Sequence, residues 1–113
     1  MRNRYYISLP EPAALAAAGA FAFRSHGAAG IAEELQAALR TDALFRRWAA
    51  TQDEPDEIEN ALGAVDAEAT VTGEQNDLRI DLVVTTGLPS TVFKHRLQLL
   101  AGRGWQLRDV TAA

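Results

Sequence analysis

Two apolar-alternating stretches joined by a glycine- and asparagine-containing connector, Ala67–Thr72 and Leu78–Thr85, restrict the fold more than any other part of the chain. In the second stretch Leu78, Ile80, Leu82 and Val84 share one side while Arg79 and Asp81 share the other, which is the period of a half-buried strand. The five residues Gly73–Asp77 between them fit a hairpin connection. A lone hairpin is marginal in water, so the apolar side of this pair predicts further strands beside it and helices over it.

The remaining segments supply both. Arg4–Leu9 alternates with Tyr5, Ile7 and Leu9 on one side and Arg4, Tyr6 and Ser8 on the other, a strand stopped by Pro10 and Pro12. Pro12–Ala18 reads as a short helix broken by Gly19, and Phe21, Phe23 and Ser25 suggest a fifth short strand near 20–25. From about Ala28 to Ala50 the chain reads as helix, with Ile31, Leu35 and Leu39 at i, i+4, i+8 and a break near Thr41–Asp42, where Thr41 is placed to cap a second segment. Pro55 with neighbouring acids predicts a short helix that ends at Gly63. Pro89 precedes a helix whose stripe is Phe93, Leu97, Leu100 and Ala101, stopped by Gly102 and Gly104, and a last strand is expected over Trp105–Val110.

The order strand, helical region, strand, strand, helix, strand resembles the split β-α-β arrangement of ferredoxin-like domains. That resemblance implies an α+β sandwich: a four-stranded antiparallel sheet with helices on one face and the other face open. A length of 113 residues with 48% apolar content suits a single domain over 1–113, with an acidic connecting segment at 51–66. Alanine makes up about a fifth of the residues and every basic residue except Lys94 is arginine, a bias expected of a GC-rich bacterial genome rather than of a function.

Composition also removes function classes. Without cysteine there is no thiol nucleophile, redox pair or cysteine-ligated metal, and two histidines outside any H-x-x-x-H spacing do not make a metal site. Arg2 and Arg4 ahead of the apolar stretch Ala13–Phe23 imitate a secretory leader, but Glu11, Pro12 and the weak hydrophobicity of alanine speak against one. With no segment resembling a membrane span, a cytoplasmic location is expected. Residues 1–50 carry six basic and four acidic groups, 51–77 none and nine, and 78–113 five and two, so the net charge of −4 is concentrated in one stretch. The mildly basic flanks keep an anionic partner open.

Strand parity places Arg4, Tyr6, Ser8, Arg79, Asp81, Gln106 and Arg108 together on the open face. Arginines beside an aromatic can hold phosphates and stack bases, so Arg4, Tyr6, Arg79 and Arg108 form the candidate ligand-binding set. In outline this face resembles the platform of the RNA-recognition-motif family, although the third strand, Asp77-Leu78-Arg79-Ile80-Asp81-Leu82, lacks that family's glycine and aromatic run. The alternative reading of the same face is a solvated or subunit-covered sheet crossed by ion pairs.

Arg24-Ser25-His26-Gly27-Ala28-Ala29-Gly30 resembles the pyrophosphate-binding turn of GNAT acetyltransferases. The resemblance implies a CoA-phosphate cradle at Arg24, Gly27 and Gly30, where backbone N–H groups at a helix start favour anions. Lys94, His95 and Arg96 read as the charged outer side of their helix, and Asp53, Glu54, Asp56, Glu57 and Glu59 as a solvated connection without a calcium-loop pattern. No catalytic residue, metal site or cofactor is expected. The leading expectation is a non-enzymatic interaction domain, self-associating or protein-binding through its open face, and the alternatives are nucleic-acid or nucleotide binding and a CoA-dependent acyltransferase.

Overall fold

A computed structural model describes residues 2–10 and 19–113. Its elements are β1 (Asn3–Leu9), α1 (Ala28–Arg40), α2 (Ala43–Ala49), β2 (Thr70–Asn76), β3 (Arg79–Thr86), α3 (Ser90–Ala101) and β4 (Gln106–Ala112). Two single 3-10 turns, Pro55–Glu57 and Asn60–Gly63, lie in the acidic connection. The strands form one antiparallel sheet in the order β2-β3-β1-β4, giving an α+β architecture with both outer strands at the sheet's margins.

Alternation decides which face is covered. Tyr5, Ile7 and Leu9 of β1 and Ile80, Leu82 and Val84 of β3 are buried in one cluster with Ile31, Leu35 and Leu39 of α1 and Phe93, Leu97 and Leu100 of α3. The Tyr5 and Phe93 rings stack with centroids 4.5 Å apart, so the covered face of β1 looks directly onto α3. Registers set Tyr6 against Val83, Ser8 against Asp81 and Arg4 against Thr85 on the opposite face.

Several expectations shift in detail. The hairpin turns in two residues, Asp77–Leu78, rather than over Gly73–Asp77, because β2 continues to pair as far as Asn76 with Arg79. Asp77 takes the left-handed conformation (φ 55°) that such a tight turn demands, and Gln75 Nε2 donates to the Asp77 and Arg79 carbonyls across it. Leu78, expected in the core, therefore sits at the turn and is 75% exposed. The long helical region does break at Thr41–Asp42, but the Thr41 hydroxyl donates back to the Ala37 carbonyl instead of capping α2. Residues 20–25 form no strand: Phe23 is buried and its N–H donates to the Leu100 carbonyl at 3.1 Å, docking an irregular segment on the end of α3. The helix expected over Pro12–Ala18 lies outside the described residues. No helix among the described residues is long and apolar enough to cross a membrane.

The most consequential correction concerns Arg96, which does not lie on the outside of α3 but is fully buried. Its guanidinium donates to the carbonyls of Leu62 (3.0 Å), Ala64 (2.7 Å) and, closer still, Ala38. Ala38 belongs to the last turn of α1, where carbonyls lack helical partners and carry the negative end of the helix dipole. A cation there joins α1, α3 and the 3-10 turn, and no carboxylate among the described residues lies within 4 Å of it. Burial pushes the guanidinium's pKa down, and Asp42 nearby partly offsets this.

Candidate functional site

The open face is built from four rungs of paired residues. Asp81 is its polar centre: its carboxylate accepts from the Ser8 hydroxyl (3.0 Å) and the Asn76 amide (2.6 Å) and lies 3.3 Å from Arg79 Nε. Burial by itself would raise this carboxyl, but the bonds from Ser8 and Asn76 together with Arg79 hold it below the usual carboxylate range. A carboxylate so well stabilised is a poor general base, so the Ser8–Asp81 contact works as a cross-strand tie and not as an activated nucleophile.

Beside this knot lies a depression of about 380 Å³ lined by Tyr6, Val83, Arg79, Asp81 and Arg108. Three of the four predicted ligand residues, Tyr6, Arg79 and Arg108, thus meet around one hollow. Arg4 does not line it. It pairs with Thr85, three rungs along the face from Arg79, a separation of roughly 20 Å at about 6.7 Å for each two residues. Arg79 is already engaged with Asp81, which leaves Arg108 as the hollow's cation without a described carboxylate within 4 Å.

Arg108 lies on the face that strand parity assigns it, but the ladder beside it contains a bulge that parity does not foresee. The pairing of β1 with β4 shifts between Tyr6, opposite Asp109, and Ile7, opposite Leu107, so Arg108 is an extra residue in the ladder. The bulge reverses the alternation beyond it: Val110 stands opposite Tyr5 and Leu107 opposite Ile7, both on the helix-bearing side. Neither is covered there, at 43% and 39% exposure, and all seven β4 residues are exposed.

At the other predicted site, the backbone N–H groups of Arg24 and Ser25 donate to the two oxygens of Glu34 at 2.9 and 2.8 Å. The chain's own carboxylate thus occupies the two backbone donors that precede the glycine-rich helix start. Gly30 allows Ser25 to approach: a Cβ on it would meet the Ser25 Oγ at 2.6 Å. Arg24 lines a groove of about 230 Å³ with Glu34, Ala38, Leu44 and Arg47, whereas Gly27 and Gly30 do not border it. Of the three residues of the predicted phosphate cradle, Arg24 alone borders this groove.

Sequence reasoning missed two polar centres. Asp66, at the end of the acidic segment, accepts from the Thr86 hydroxyl (2.9 Å) and the Gly87 (3.0 Å) and Glu68 (3.0 Å) N–H groups, with the Arg2 guanidinium 3.3 Å away. Burial opposes its ionisation, but these bonds prevail and bring its pKa to about 2. His95 packs edge-on to Trp48 with centroids 4.4 Å apart, and burial, then the Arg96 charge, pushes its pKa down. Neither has a local signal, because an acid in an acidic stretch and a histidine among basic residues look solvated. Among the described residues no group of three or more metal-ligating side chains is assembled. Comparison with known proteins returns no match: no family model, no curated protein and no solved structure aligns with this chain.

Proposed function

We propose that this chain is a cytoplasmic ferredoxin-like split β-α-β domain that acts by binding a protein through its open sheet face. The element order and the sheet order, read from the far edge as β4-β1-β3-β2, support the fold assignment. The observation that carries the functional reading is the mixed character of the hollow: the half-buried Tyr6 and Val83 lie between a held carboxylate, Asp81, and the cations Arg79 and Arg108. Apolar contact ringed by both signs of charge matches a protein surface. A polyphosphate would meet Asp81 as a repelling charge and find Arg79 already paired.

The test is a photo-crosslinking amino acid in place of Tyr6, with the same group in place of Glu57 as a control. A protein adduct identified by peptide mapping, formed from position 6 alone and lost with Asp81→Lys, is the expected result. Salt-sensitive chemical-shift changes at Arg79 and Arg108 on adding a single-stranded oligonucleotide, with no protein adduct, would replace this reading by nucleic-acid binding.

A further inference from the structure

The two margins of the sheet are finished differently. Along β2, the Gln36 Oε1 accepts from the Val71 N–H at 3.0 Å and the Arg40 Nε donates to the Ala69 carbonyl at 2.7 Å, so α1 side chains occupy backbone groups that another strand would need. Gly73 also lies so close under α1 that a Cβ would sit 2.6 Å from the Ala28 carbonyl oxygen. Along β4 no described residue pairs with the side turned from β1, and the Val110 N–H is met by the neighbouring Asp109 carboxylate at 2.9 Å.

We infer that β4 is the pairing strand of a symmetric dimer, in which two copies join edge to edge, antiparallel, with Leu107 opposite Val110 of the partner and Arg108 opposite Asp109 of the partner. An isologous contact between identical antiparallel strands pairs residues about a two-fold axis, and paired residues must share a face. In a regular strand Leu107 and Val110 point to opposite faces and this register is excluded. The bulge at Arg108 puts both on the helix-bearing side, as their partners Ile7 and Tyr5 demonstrate.

With the axis between positions 108 and 109, every rung is then matched. The two exposed apolar side chains cover one another twice over, and a cation meets an anion twice over, both favourable cross-strand combinations. Gln106 falls opposite the partner's Thr111, and both pair with open-face residues of β1, Ser8 and Arg4. The Val110 N–H exchanges its own Asp109 for the partner's Leu107 carbonyl, which frees that carboxylate for the partner's Arg108. The product is one continuous eight-stranded sheet whose two open faces lie side by side.

This inference uses the sheet's margin and not the hollow, so it does not depend on the proposed function. Sedimentation velocity of the full chain across a concentration series is expected to show a dimer that dissociates on dilution. Leu107→Lys should shift it to monomer while Tyr6→Ala leaves it unchanged. Arg108→Asp or Asp109→Arg alone sets like charges opposite each other at two places and should weaken association about tenfold. The double variant Arg108→Asp with Asp109→Arg should restore association, a rescue that general loss of folding cannot mimic. A wild-type monomer at millimolar concentration would overturn the inference. So would a dimer that survives Leu107→Lys or one whose charge swap is not rescued; a dimer lost with Tyr6→Ala instead would move the contact to the open face.

Discussion

The β2 half and the β4 half of the sheet have similar strands, seven residues each, but only one is built into the helical layer. On the β2 side, α1 covers the sheet, Gln36 and Arg40 cap the margin, and Arg96 and Asp66 fasten the end of α1 and the long connection with buried polar bonds. On the β4 side the strand pairs, among the described residues, with β1 alone and leaves Leu107 and Val110 exposed on the very face that elsewhere forms the core. If β4 is the pairing strand inferred above, stability and interaction are divided between the halves. Groups that satisfy one another inside the β2 half are unavailable to a partner, while the β4 half exposes the apolar Leu107 and Val110 and an Arg108 with no described carboxylate within 4 Å.

Substitutions in the two halves should therefore differ sharply in their effect on the isolated fold. The largest loss is expected for Arg96→Ala, about 3–5 kcal/mol, because it opens a cavity and strands the carbonyls of Ala38, Leu62 and Ala64. Urea unfolding measures it, and a loss below about 1 kcal/mol would mean that the buried cation does not hold the β2 half together.

Acid should act on the same half through Asp66. Its folded pKa of about 2 lies below the ordinary 3.8, so its stabilisation is complete above that ordinary value and disappears as pH falls toward 2. The contribution is about 2 kcal/mol, and Asp66→Asn should flatten this part of the stability–pH curve.

The smallest effect separates the halves most directly. Val110→Thr, measured at a concentration where the chain is monomeric, should change stability by less than about 0.5 kcal/mol, as expected of a surface position. Val71→Thr in β2, where the side chain is 7% exposed, should cost about 1–3 kcal/mol for burying a hydroxyl. Equal losses at the two valines would erase the distinction between a built-in and a free strand.

The elements themselves were legible where period and punctuation agree. Alternation in Tyr5–Leu9 and Ile80–Val84, the stripe Phe93–Leu97–Leu100, the stops at Pro10 and Gly102 and the helix start after Pro89 all correspond to what the structure contains. Of the candidate site, the shared face of Tyr6, Arg79 and Arg108 was readable from parity, but its division from Arg4 was not, because distance along a face depends on register between strands. Leu78 was misassigned since a two-residue turn and a strand start look alike when the turn carries an apolar residue. Arg96 was misassigned because a helix pattern records only which positions are apolar, and an arginine at a buried position breaks that pattern unless its acceptors are known.

By itself, the chain's residue pattern determined the strands, the main helices and the side of β1 and β3 that enters the core, since these follow from local periodicity and from the backbone limits of proline and glycine. Tertiary structure alone decided the burial of Arg96, the depressed pKa of Asp66, the donation of the 24–25 backbone to Glu34 and the bulge that turns Val110 to the helix-bearing side. Each of these depends on hydrogen-bond partners or strand register supplied by residues distant in sequence, and no local period encodes where such partners will lie.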